Sequence, residues 1–106
     1  MAAECCQVTT TVATQAEAER IAGTLVKERL AACVQIAGPI ASTYHWQGAV
    51  EHATEWYCHC KTTLARYPAL EARLRALHPY ETPEIIALPI VAALPAYLAW
   101  IEDSVR

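Results

Sequence analysis

The chain has 106 residues, of which 55% are hydrophobic and only 18% charged, with a formal net charge of −3. The acidic balance argues against a nucleic-acid binder, and no run of about 18 apolar residues is present to form a transmembrane helix. The length predicts one domain over 1–106, and a charged fraction below the roughly 25% of ordinary soluble chains predicts apolar surface left for another subunit to cover.

Met1 to Cys6 carries Glu4 and no basic residue, unlike a secretion signal, so a cytoplasmic location is expected. Residues 5–12, CCQVTTTV, are rich in Val and Thr and read as a strand. Thr14 and Glu17 then have capping-box spacing: the hydroxyl caps a first-turn N–H while the carboxylate reaches back. The helix they open is expected over 15–32, with Ala18, Ile21, Ala22 and Leu25 on its apolar face. Cys33 to Trp46 reads as a long strand interrupted by Gly38-Pro39. Proline cannot donate to a ladder, which makes this an edge or a bulge. Gln47-Gly48 supplies a turn, and Val50 to Thr63 returns as the second arm of a long hairpin. Alternation places Trp56, Cys58 and Cys60 on one face of that arm, and Glu55, Tyr57, His59 and Lys61 on the other.

Pro68 suits the first turn of a second helix. Leu70, Leu74 and Leu77 form its stripe, and Pro79 forces it to stop near His78. Glu84 to Val91 is the expected last strand, with Pro89 marking an edge, and Pro95 opens a short third helix. The order is β-α-β-β-α-β-α. This is an α+β, ferredoxin-like βαββαβ sandwich with an extra C-terminal helix. Right-handed crossovers put the first and third strands in the middle. Pro39 and Pro89 then fall on the two edge strands, and two open edges invite pairing with further copies.

Five cysteines, Cys5, Cys6, Cys33, Cys58 and Cys60, are an odd number without a CxxC pair. Reduced, mostly buried thiols are expected rather than a disulfide framework. In Cys58-His59-Cys60 the thiols point one way and the imidazole the other, which favours core packing over a shared soft metal.

Several segments in order, ERLAACVQI, YHWQGAVE, Lys61-Thr62, LHPYETPEIIALPI and YLAWI, resemble the CutA family of divalent cation tolerance proteins. The resemblance runs from about Val8 to Ile101. It implies a ferredoxin-like fold, a tight homotrimer related in architecture to PII signalling proteins, and a role in tolerance of copper and other divalent metals. It brings no established catalytic reaction, and no Gly-rich phosphate loop, HExxH or nucleophile elbow is present to suggest one. A PII-like signalling or docking platform, or an enzyme using the cleft between subunits, are the alternatives.

His78 with Glu81 and Glu84 offers ligand types suited to Cu²⁺ or Zn²⁺. A histidine at a helix C-terminus also caps carbonyls and complements the helix dipole. Some family members carry a Cys near the end of the first strand and a second His directly before the His-Pro-Tyr motif, both considered copper ligands. Thr10 and Leu77 stand at those positions here, which weakens a carried-over copper site. Tyr44, Trp46, Glu55, Lys61, Tyr80 and Glu84 match family positions in or near clefts between subunits. They are candidates either for interface contacts or for a pocket for a small anion or metabolite, with Lys61 as the cation. Glu55 and Lys61 share a strand face but lie six residues apart, roughly 20 Å along a strand, so each needs a partner elsewhere.

Overall fold

The computed structural model describes residues 4–106. The first three residues of the Met1–Cys6 segment lie outside the described residues. The elements are β1 (Cys5–Val12), α1 (Gln15–Lys27), β2 (Cys33–Trp46), β3 (Ala49–Thr63), α2 (Tyr67–Leu77), β4 (Ile86–Pro89) and α3 (Pro95–Ser104). The four strands form one sheet in the order β2-β3-β1-β4, and every neighbouring pair is antiparallel. Both prolines therefore sit on edge strands, where a missing N–H costs no ladder bond. This is the ferredoxin-like α+β arrangement that the order of elements predicts.

Alternation builds the core. Cys6, Val8, Cys58 and Cys60 point from the central strands towards α1 and α2, where Ile21, Leu25, Leu70 and Leu74 meet them, all at 0% exposure. Cys5 points from the opposite side of β1 and is covered by Ile101 and Val105 at the C-terminal end of the chain. The extra helix thus covers one end of the second sheet face.

Two element boundaries differ from expectation. Helix α1 ends at Lys27, not near Ala32, because Arg29 takes a left-handed φ of 59°. The N–H groups of Leu30 and Ala31 then return to the Leu25 carbonyl at 3.0 and 3.2 Å. Strand β4 covers only Ile86–Pro89 of the expected 84–91, although the Ile90 N–H still reaches the Cys5 carbonyl at 3.0 Å. At the start of α1 the Thr14 hydroxyl caps the Glu17 N–H at 3.1 Å. Among the described residues Glu17 Oε2 does not make the reciprocal bond of the capping box and is buried without a hydrogen-bond partner.

The β2–β3 hairpin dominates the outline of a molecule measuring 47 × 25 × 22 Å. Gln47 (φ 49°) and Gly48 (φ 81°) both take the left-handed region, as a two-residue turn matched to strand twist requires. The register shifts between Ala37 and Ile40, around Gly38-Pro39. Glycine is required there by packing: a Cβ on Gly38 would lie 2.4 Å from Cδ1 of Trp56.

Candidate ligand-binding cleft

Pro79 pushes His78 out of helical space, so α2 ends at Leu77 and His78 is extended (ψ 133°). The Arg20 guanidinium caps the freed Leu77 carbonyl at 3.0 Å. The His78 ring then turns in towards β1 and is only 8% exposed. Nε2 lies 3.0 Å from the Thr11 carbonyl oxygen and 3.0 Å from the Thr10 hydroxyl. Nδ1 accepts the Tyr80 N–H at 3.1 Å. A carbonyl can only accept and a backbone N–H can only donate, so the proton sits on Nε2 and the lone pair on Nδ1. Burial holds the ring below the ordinary histidine pKa, opposed by the Thr11 carbonyl, Glu17 and Glu55.

Tyr80 follows on the same loop. Its phenol donates at 2.7 Å to Oε2 of Glu55 on β3. Burial first, then the Glu55 carboxylate, raises the phenol well above the ordinary tyrosine range, so it stays protonated as a donor. Glu55 is itself only 8% exposed. Its hydrogen bond from Tyr80 uses Oε2, and the residue lines the space beside the loop.

That space is a cleft of about 840 Å³ between the distal half of the hairpin and the loop after α2. Tyr44 and Trp46 come from β2, Glu55 and Tyr57 from β3, and Tyr80, Glu81 and Glu84 from the loop. Five of the candidates read from the sequence, Tyr44, Trp46, Glu55, Tyr80 and Glu84, are therefore brought to one place. Lys61 is not among the lining residues; its ammonium donates to Gln35 at 2.7 Å. The partners that Glu55 and Lys61 need are thus found within the chain, in Tyr80 and Gln35. Within one chain Lys61 therefore supplies no cation to this cleft. Tyr57 and His45 line it beyond the residues singled out in the sequence, and Glu81, read there as a metal-ligand candidate, lies here too. Tyr57 was legible from alternation, since it lies two residues from Glu55 on the same strand face.

The copper reading of His78 meets a chemical obstacle. A metal needs the lone pair of a neutral imidazole, and on His78 that lone pair is engaged by Tyr80. The neighbouring family positions give a hydroxyl, Thr10, which already lies against the ring, and the apolar Leu77. Among the described residues no group of three or more His, Cys, Asp or Glu side chains converges to hold a metal ion. The residues of one chain do not fit a copper site.

Cys58-His59-Cys60 divides as alternation requires. Both thiols are fully buried, and burial pushes Cys58 up to about 11 and Cys60 up to about 12. His59 lies on the other face, stacked on Tyr57 at 5.0 Å. Its Nδ1 is met by Thr9 at 3.2 Å and Gln7 at 3.3 Å.

Fold and cleft together define a ferredoxin-like α+β chain carrying a preformed, acidic and aromatic cavity. The family model for the CutA1 divalent ion tolerance protein matches residues 6–104, and the chain belongs to that family. The divalent-cation tolerance protein CutA of Thermus thermophilus is 46% identical over 94 residues, covering 89% of this chain and 91% of that protein. The mouse Protein CutA is 42% identical over 86 residues, covering 81% of this chain, which spans only 49% of the mouse protein. Among solved structures, the Thermus thermophilus protein superposes with a TM-score of 0.93 at 43% identity, covering 96% of this chain and 99% of that one. CutA1 from Oryza sativa superposes with a TM-score of 0.96 at 37% identity, covering 99% of this chain and 96% of that one.

Proposed function

We propose that this divalent-cation tolerance protein works by binding rather than by catalysis, as a homotrimer, with the cleft beside the hairpin as its ligand site. The observation that carries the reading is the cleft itself: a cavity in the size range of small-molecule sites, with a nearly buried carboxylate oriented by a protonated phenol. The response to copper and other divalent metals then runs through occupancy of this cleft and not through a metal on His78. His78 serves as a strut that fixes the loop carrying Tyr80.

Assembly is supported by what the chain leaves uncovered. Strands β2 and β4 are both edges of the sheet, and edges present unpaired backbone groups. Ile86 and Leu88 on β4 and Tyr44 and Trp46 on β2 are all exposed beside those edges. A neighbouring copy seated along them closes the open side of the cleft.

Two measurements test the reading. Sedimentation should give a trimer at micromolar concentration, and a stable monomer would overturn the assembly. A thermal-shift panel of divalent metal salts, small amines, alcohols and carboxylates should contain a class that raises the melting point by mass action. A flat panel would overturn ligand binding.

A further inference from the structure

We propose that the cleft is built for a small organic cation, a protonated amine carried on an apolar body, rather than for a bare metal ion or an anion. The inference rests on the cleft being a ligand site and names the class of ligand.

The sign of the charge comes first. Glu55, Glu81 and Glu84 line the cleft, and no Lys or Arg does among the described residues. Glu17, whose Oε2 is buried without a partner, adds negative potential behind the wall, where it acts on both His78 and Tyr80. His45 also lines the cleft, so an anion entering here meets three carboxylates against one imidazole.

The choice between metal and organic cation follows from geometry. A transition metal takes three or four ligand atoms at close to 2 Å from a common point. The carboxylates of the cleft do not converge in that way. They are spaced around a cavity of about 840 Å³, far more room than one ion occupies. Between them stand the rings of Tyr44, Trp46, Tyr57 and Tyr80. Aromatic faces attract ammonium groups and pack against the alkyl chain that carries them.

Glu55 supplies the specific contact. It is 8% exposed, so its charge is poorly solvated, and Tyr80 occupies only Oε2. An ammonium N–H donating to Oε1 completes the carboxylate and pairs a charge that water does not reach well. Such charge-assisted contacts are stronger than neutral ones. Trp46 and Tyr44, each 43% exposed in the single chain, line the cleft on its open side and give the alkyl body an aromatic wall to pack against.

The experiment uses the full-length protein and matched probes: butylammonium, butanol, butyrate, and Cu²⁺ and Zn²⁺ salts, each by isothermal titration calorimetry. Butylammonium should bind, while butanol and butyrate should bind at least about tenfold more weakly. Glu55→Gln should weaken the amine by about tenfold or more and leave butanol unchanged. Trp46→Ala should weaken the amine even in the fraction that still sediments as a trimer. Equal binding of amine and alcohol would overturn the proposal, because the cleft would then be selecting shape and not charge. A Cu²⁺ or Zn²⁺ site lost in Glu55→Gln and not displaced by butylammonium would also overturn it, while leaving the cleft as the ligand site. Binding of no probe at all would overturn both readings. The amine–alcohol contrast on the unmodified protein stands even if Glu55→Gln does not fold.

Discussion

The phenol of Tyr80 and the carboxylate of Glu55 meet at 2.7 Å across 25 residues of sequence, joining the loop after α2 to the middle of β3. The pair fixes one end of the cleft. Removing the donor in Tyr80→Phe leaves a nearly buried carboxylate short of a partner, which costs about 1–3 kcal/mol. Denaturant titration should show the loss as a lower midpoint with an unchanged slope. The same bond predicts alkaline behaviour. Tyr67, held up to about 12 chiefly by its bond to Glu71, and Tyr80 both have pKa values raised by folding. Their stabilising contribution is full below the unfolded tyrosine value of about 10 and is lost as pH rises above it. Absorbance titration of Tyr80→Phe should show one fewer late-ionising phenol, and an unchanged count would remove the assignment.

Acid should destabilise the fold through two histidines. His78 and His59 are both held below the ordinary value, chiefly by burial. His59 also faces Lys61, which lowers it further, and Glu84, which opposes. A histidine whose pKa falls on folding takes its proton more readily when unfolded. Its contribution is therefore intact above about 6.5 and lost as pH falls from there towards the folded value. The melting temperature should drop between neutral and mildly acid pH, and Nuclear magnetic resonance titration of the imidazoles should place both below the free value. Titration of either at or above that value contradicts the burial argument.

Two glycines should respond in opposite directions. Gly38→Ala drives a Cβ to within 2.4 Å of Trp56, and overpacking of this kind costs about 1–3 kcal/mol. Gly23 lies inside α1 with nothing within 4 Å of an added Cβ. Gly23→Ala should stabilise by about 0.5–1 kcal/mol. Thermal melts of the two variants side by side check the pair, and a harmless Gly38→Ala would refute the contact with Trp56.

The thiols should separate by reactivity. Cys58 and Cys60 are buried, with pKa values of about 11 and 12, so little thiolate forms at neutral pH. Cys33 is only half-buried, with its sulfur 3.6 Å from the Tyr97 hydroxyl. A thiol reagent followed by mass spectrometry should modify Cys33 well before Cys58 or Cys60 in the native protein. Early labelling of either core thiol would contradict the packing.

Local chemistry made much of this legible in advance. Alternation along β3 sorts Cys58 and Cys60 from Glu55 and Tyr57, prolines mark both edges, and Thr14 announces the start of α1. What stayed hidden depends on contacts between distant segments. The tautomer of His78 is set by the nearby Tyr80 N–H together with the Thr11 carbonyl, 67 residues away, and no local pattern encodes the second contact. Lys61 reads as a candidate cation until Gln35 is found beside it on the neighbouring strand. The early end of α1 depends on Arg29 adopting a backbone conformation that arginine seldom takes.

Beyond Ile40 the hairpin leaves the two-layer body behind. Nearly every residue from Ala41 to His52 is exposed, so no opposing helix dictates side-chain volume there. Outside the cleft-lining positions Tyr44 and Trp46, variation in this ribbon is governed more by parity than by packing against a helix. Residues added at the Gln47-Gly48 tip lengthen both arms and leave every inner pair in place. One residue inserted between the tip and Glu55 turns all positions beyond it to the opposite face. The reach of the arm can thus change in even steps at its tip while the helical body, and the pairing that holds Tyr44 and Trp46 in the cleft, stay as they are.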